Sequence, residues 1–189
     1  QEKISRIEAN MRKERELIQL MREHSLAQAE EHVENAYVID TVTVTKQLVA
    51  SIRFTGRYCD LDTYLPLLYK AVKNNASGKH FNLYHDEECK EIADIELCIP
   101  VRKEIRHPSV ACRYLPEMHA LHTTHYGSYD MLWAAYKTLF AYANEHDLRI
   151  LTPSREDYVK SPGMLFRGNP STYMTELYLP FERTGSIRL

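Results

Sequence analysis

The sequence predicts an α+β domain. Two pseudo-symmetric β-α-β-β units form an antiparallel sheet with helices on one face and a cleft on the other, preceded by a long N-terminal helix. Three observations carry this expectation. One short pattern occurs twice, as Ile95-Glu96-Leu97-Cys98-Ile99-Pro100 and as Thr175-Glu176-Leu177-Tyr178-Leu179-Pro180. Each copy follows a Gly-x-Tyr and a helical pattern. Gly56-Arg57-Tyr58 leads the first, Gly127-Ser128-Tyr129 the second, and the glycine-to-glutamate interval is 40 residues in one and 49 in the other. Self-similarity at such a length marks repeated supersecondary units. Finally, residues 1–34 lack Gly and Pro and are rich in strong helix formers.

That first segment has a heptad-like seam. Ile4, Ile7, Met11, Glu14, Ile18, Met21 and Ser25 step by three and four, and Leu17 and Leu20 widen the stripe. Packing on its own domain would explain an amphipathic helix; its length and its charged outer faces favour a dimerisation helix over residues 1–34. The chain starts at Gln1, inside the helical pattern, so an upstream domain is expected.

A second domain is expected over 38–189. Val38 to Phe54 is β-branched and apolar, which suits a strand. Gly56 breaks it. Asp60 or Asp62 could cap a helix running to about Ala76, with Leu61, Tyr64, Leu65, Leu68 and Val72 as its apolar stripe. Asn74 to Gly78 is a helix stop, followed by strands at Phe81–Tyr84 and 94–101. The second half repeats the order. Val110 to Tyr114 and Met118 to Tyr126 read as strand interrupted at Leu115-Pro116-Glu117. Residues 129–146 read as helix, with Leu132, Trp133, Tyr136, Leu139, Phe140 and Ala143 inward. A strand lies near 149–152, then a loop from Pro153 to Pro170, and Tyr173 to Phe181 closes the chain.

Composition excludes several classes. With 44% hydrophobic and 26% charged residues the chain reads as globular. A net charge of -2 gives no electrostatic footprint for nucleic acid, and the six Lys or Arg among the first 22 residues are matched by nearby Glu. Cys59, Cys89, Cys98 and Cys112 show no CxxC spacing, are too sparse for a disulfide scaffold and fit a reducing cytoplasm. No apolar run approaches the roughly 18 residues of a membrane helix. His119, His122 and His125 resemble a metal triplet, but in a strand His122 points away from the other two, which then stand about 20 Å apart. No metal or cofactor is expected.

Side chains alternate across a strand. Ile95, Leu97 and Ile99 should therefore face the helices with Leu177 and Leu179. Glu96, Cys98, Glu176 and Tyr178 should face the other side.

Gly127-x-Tyr129, the helix with Trp133 and Tyr136, Glu156-x-Tyr158, and Tyr173-x-Thr175-Glu176-Leu177-x-Leu179-Pro180 together resemble the gyrase-inhibitor-like effector-binding domain. The resemblance covers about residues 38–183, and its closing Thr-Glu-aliphatic-x-aliphatic-Pro is its most specific part. The leading helix is similar to the dimerisation helix that joins such domains to a winged-helix DNA-binding domain in MerR-family multidrug-responsive transcription regulators. The resemblance implies a pocket for lipophilic, often cationic molecules, with aromatic rings around a buried carboxylate. Glu176 matches the family's acidic strand position and Glu96 is its counterpart. Tyr58, Trp133, Tyr136, Tyr158 and Tyr178 are the candidate pocket aromatics. The bland alternatives are that Glu176 caps a backbone amide or pairs with Arg167, and that the helix aromatics are core. A carboxylate on an apolar floor is unfavourable alone, and a cationic ligand offsets that penalty.

The expected function is ligand sensing for a transcription regulator. The expected partners are a lipophilic or cationic small molecule, a second copy through the first helix, and DNA only through an upstream domain. Two alternatives compete. One is a hydrolase of electrophilic natural products using Glu176 as base with Tyr158 or Tyr126. The other is a non-catalytic protein-binding module, with an exposed apolar patch in place of a small-molecule pocket.

Overall fold

A computed structural model of the chain describes residues 37–88, 90–161 and 169–183. The helix expected over 1–34 lies outside the described residues. The elements are β1 (Asp40–Val44), β2 (Gln47–Gly56), α1 (Leu61–Val72), β3 (Phe81–Tyr84), β4 (Ala93–Pro100), β5 (Ala111–Leu115), β6 (Met118–Tyr126), α2 (Leu132–Glu145), β7 (Leu148–Ile150), β8 (Ser154–Lys160) and β9 (Met174–Arg183). The strands form an antiparallel sheet in the order β1-β6-β9-β8-β3-β4-β2-β5, with β7 added at the end of β9. Read outward from the β3–β8 junction, the two halves have the connectivity β2-α1-β3-β4 and β6-α2-β8-β9.

The link between β1 and β2 shapes this sheet. The run expected as one strand from Val38 to Phe54 is broken at Thr45 and Lys46, and its two parts stand first and seventh in the order. In a flat sheet they would lie about 29 Å apart. The three Cα steps from Val44 to Gln47 reach at most about 11 Å. The sheet must therefore curl until its ends approach. The interruption at Leu115-Pro116-Glu117 is a larger break than expected: β5 pairs with β2, whereas β6 pairs with β1 and β9.

Both expected helices are present. α1 ends at Lys73, which takes φ 52°, and α2 is followed by Asp147 at φ 52°. Gly127 adopts φ 129°, a conformation that a side chain would strain, and its N–H donates to the Tyr173 carbonyl at 3.1 Å. This fixes the turn from β6 into α2. A Cβ on Gly56 would stand 2.6 Å from Asp60 Oδ2, the oxygen that accepts the Arg57 N–H. Gly56 thus lets the chain fold tightly into α1.

Each face of the sheet has a buried apolar cluster. Ala50, Leu97, Ile99, Val101 and Val110 pack with Leu68 and Val72 of α1. On the far face, Val49, Phe81, Leu83 and Cys98 form a second cluster with Leu115 beside it. The expectation of an open far face is corrected here, because the curl gives that face an interior of its own. The largest correction concerns residues 153–170, expected as a loop. They contain β8, the strand that joins the halves by pairing with both β3 and β9. The expected strand near 149–152 is the short β7, which pairs only with β9.

Candidate functional site

A cavity of about 1700 Å³ lies on the helix face of the sheet. The cleft was expected on the face opposite the helices, so its position is a correction. Its walls are the helices themselves. Leu61, Leu65 and Tyr69 step by four along α1, and Trp133, Tyr136 and Phe140 follow helical spacing along α2. The floor comes from β3 and β8. Their register sets Asn82 opposite Glu156 and Tyr84 opposite Ser154, and the two-residue period turns Glu156 and Tyr158 to the same side.

Of the carboxylates that line this cavity, Glu156 is the buried one. It is 6% exposed and accepts two phenol hydrogen bonds, from Tyr136 to Oε1 at 2.8 Å and from Tyr158 to Oε2 at 2.7 Å. The Tyr158 proton is committed to Glu156, so Tyr84 must donate across the 2.9 Å between their oxygens. Asn82 Nδ2 donates to the Tyr84 and Tyr158 oxygens at 3.0 and 3.1 Å. Around this network His80 stacks on Tyr158, Tyr129 meets Tyr158 edge-on, and Tyr58 lies against Tyr84.

The electrostatics follow from burial. Among the described residues no ion pair involves Glu156. Burial raises its pKa above the ordinary carboxylate value, and the surrounding phenols, Tyr158 and Tyr136 first, offset only part of that rise. Burial first, and the nearby Glu156 charge second, hold Tyr84 and Tyr136 well above the usual tyrosine value. Tyr158 is raised for the same two reasons. Burial pushes Tyr129 up to about 12 and lowers His80. The site therefore keeps its phenols protonated and resists a lone negative charge. The surrounding rings present π faces, each of a kind that attracts a cation by about 0.5–2 kcal/mol.

Tyr58, Trp133, Tyr136 and Tyr158 all line the large cavity. Glu176, Tyr178 and Glu96 do not. The expected parity holds, since these three share the far face, but that face is not where the large cavity lies. Glu176 accepts from Tyr178 Oη at 2.8 Å and borders a separate cavity of about 390 Å³. Glu96 is 3% exposed and engaged within the protein. Arg113 Nη2 donates to its Oε2 at 2.7 Å, and His85 Nε2 stands 3.1 Å from the same oxygen. Burial acts to raise its pKa, but the Arg113, Ser51 and His85 contacts together hold it below the ordinary value.

Glu156 was missed as a site residue although Glu156-x-Tyr158 was visible. Its neighbours Ser154, Arg155, Asp157 and Lys160 are poor strand formers. The i,i+2 spacing of Glu and Tyr between Pro153 and Pro162 was the available signal. The hydrolase pairing of Glu176 with Tyr158 is not assembled. Tyr158 pairs with Thr175, so it projects to the face opposite Glu176. The thiol of Cys98 is fully buried on the far face, and burial raises its pKa strongly. His119 meets Thr43 and His125 meets the Ser128 carbonyl, while His122 stacks on Tyr178. Among the described residues no group of three His, Cys, Asp or Glu is placed to hold a metal ion. No described helix is long and apolar enough to cross a membrane.

Comparison with known proteins agrees with a binding site. Residues 106–182 match the GyrI-like family, a GyrI-like small molecule binding domain, in a span that includes both Glu156 and Glu176. The chain is similar to the crystal structure of the EcmrR C-terminal domain, with 25% identity and a TM-score of 0.69 over 78% of this chain and 99% of that one. It is also similar in fold to EcmrR in a DNA complex, at 23% identity and TM-score 0.68 over 94% of this chain and 69% of that one. Two further likenesses show the fold. One is a hydrolase from Listeria innocua, 11% identical with TM-score 0.53 over 76% of this chain and 91% of that one. The other is SAV2435 bound to tetraphenylphosphonium, 11% identical with TM-score 0.52 over 77% of this chain and 94% of that one. No curated protein matches the sequence.

Proposed function

We propose that this chain is the ligand-sensing part of a transcription regulator and that its large cavity binds lipophilic cations around Glu156. The observation that carries this reading is a buried carboxylate, capped by two phenols and without a cationic partner among the described residues, on the floor of an aromatic cavity. A cation supplies the charge that the fold withholds. The cavity exceeds the usual 300–1,000 Å³ of ligand sites, so one floor can serve ligands of several shapes. Two similarities support the reading. SAV2435 is described with tetraphenylphosphonium, and EcmrR in a complex with DNA. A second copy joined through the first helix, and DNA held by an upstream domain of MerR type, complete the proposal. Ligand binding would then shift the orientation of the paired helices.

Of the hydrolase alternative's two donors, Tyr158 faces away from Glu176, and Tyr126 is exposed and does not line the cavity beside it. The protein-binding alternative does not call for a cavity of this size.

The test is a thermal-shift titration with tetraphenylphosphonium, whose charge does not change with pH, against its neutral relative triphenylphosphine oxide. At 100 times its dissociation constant the cation should stabilise the fold by about 2.7 kcal/mol. The cation favours ionised Glu156, whose pKa in the free protein is raised. Where free Glu156 holds a proton, binding releases it, so affinity should fall as pH is lowered from 8 to 5. An equal shift with the neutral compound, or no shift with the cation, would remove the reading.

A further inference from the structure

The face opposite the large cavity carries a continuous cross-strand row: His122 of β6, Tyr178 of β9, Arg155 of β8, Leu83 of β3 and Glu96 of β4. At one end of this row, where the curl brings β1 and the start of β2 towards it, lies the cavity of about 390 Å³. Its apolar wall is Val42 and Val44, and its polar wall is His122, Arg155, Glu176 and Tyr178. The volume is within the range of small-ligand sites. Strand alternation separates it from the large cavity, since Arg155 and Asp157 face one way and Glu156 the other.

The charges of this wall do not cancel. Arg155 is committed to Asp157 through two parallel bonds, Nε to Oδ1 at 2.6 Å and Nη2 to Oδ2 at 2.8 Å. Its guanidinium also lies 3.7 Å from the centre of the Phe81 ring. That pair is neutral and held in place from both sides. Glu176 is left with the Tyr178 hydroxyl, and no ion pair involves it among the described residues. Beside it the His122 ring packs on Tyr178 with centroids 4.8 Å apart. His122 Nε2 is buried and has no hydrogen-bond partner. A buried ring nitrogen without a partner is unfavourable and calls for one. In the tautomer protonated at Nδ1, it offers a lone pair near the Glu176 carboxylate. Two acceptors border one small space, beside a Tyr178 ring already approached by His122 and, at 5.5 Å, by the Arg155 guanidinium that Asp157 neutralises.

We propose that this far-face cavity is a second ligand site, separate from the large one, for a small organic cation bearing N–H donors, such as an amidinium or alkylammonium. Glu176 accepts one N–H and supplies the charge, and His122 Nε2 accepts another. The closing Thr-Glu-Leu-Tyr-Leu-Pro segment thus serves a site other than the one floored by Glu156.

The experiment is calorimetric titration of the full chain with benzamidinium, with tetramethylammonium as a cation that has no N–H. It is run on the wild type and Glu176→Gln, each with the large cavity saturated by tetraphenylphosphonium. Benzamidinium should still bind the saturated wild type, and Glu176→Gln should weaken that binding by about tenfold or more. Tetramethylammonium should not compete. Should Glu176→Gln fail to fold, the ring-nitrogen resonances of His122 in the wild type decide, because Nε2 must shift as benzamidinium is added. Absence of binding, binding unchanged in Glu176→Gln, binding abolished by saturating tetraphenylphosphonium, or equal competition by tetramethylammonium each overturns the proposal. None of these outcomes bears on tetraphenylphosphonium binding in the large cavity.

Discussion

Replacing Glu156 with Gln should weaken tetraphenylphosphonium binding by about 30-fold or more, equivalent to roughly 2–4 kcal/mol, because the cation loses the buried carboxylate of the cavity floor. The amide keeps the size of the carboxyl group, and its oxygen can still accept from one phenol. The effect should therefore fall on ligand affinity and not on the fold. Burial opposes the ionised carboxylate in the free protein. The variant should consequently lose the pH dependence of affinity along with the affinity itself. Calorimetric titration of both proteins at two pH values reads both effects. Glu176→Gln is the informative control. It lies across the sheet and should leave tetraphenylphosphonium affinity within about twofold, as expected when separated sites act independently.

The second large effect concerns the wall of the cavity. Leu68 of α1 is fully buried and packs in the cluster containing Leu97, Ile99 and Val72. Leu68→Ala should destabilise the fold by about 2–5 kcal/mol, the range for deleting a buried leucine side chain. Its neighbour Leu67 is 53% exposed. Leu67→Ala should change stability by no more than about 0.5 kcal/mol. Denaturant unfolding of the two variants compares adjacent positions of one helix. Equal losses would mean that α1 does not pack on the sheet by the face described.

Local pattern made much of this fold readable. Helical spacing marked α1 and α2, and glycine marked the turn before each. Two-residue alternation put Glu96 and Glu176 on a shared face, as the structure shows. The errors arose where physics is non-local. Thr45 and Lys46 carry no Gly, Pro, Asn or Asp, so nothing local marks the break that sends β2 to the other end of the sheet. The curl follows from pairing between distant segments, and it gives the far face an interior. β8 escaped notice because its strand conformation comes from pairing on both sides with β3 and β9, which overrides poor intrinsic propensity. In the sequence the Glu176 strand is marked by alternation and the Glu156 strand is not, so local pattern points to Glu176 as the acidic floor. Tyr136, Tyr158, Trp133 and Tyr58 were nominated as single aromatics. Only the β3–β8 register shows that Asn82, Tyr84 and Tyr158 form one hydrogen-bonded floor with Glu156.

The most direct measurement is a crystal structure of the full chain with tetraphenylphosphonium, located by its phosphorus. The cation should lie between α1 and α2 with its phenyl rings against Trp133, Tyr136 and Tyr158, and with Glu156 as the nearest carboxylate. A cation bound on the far face beside Glu176, or in the large cavity with another carboxylate closer than Glu156, would contradict it.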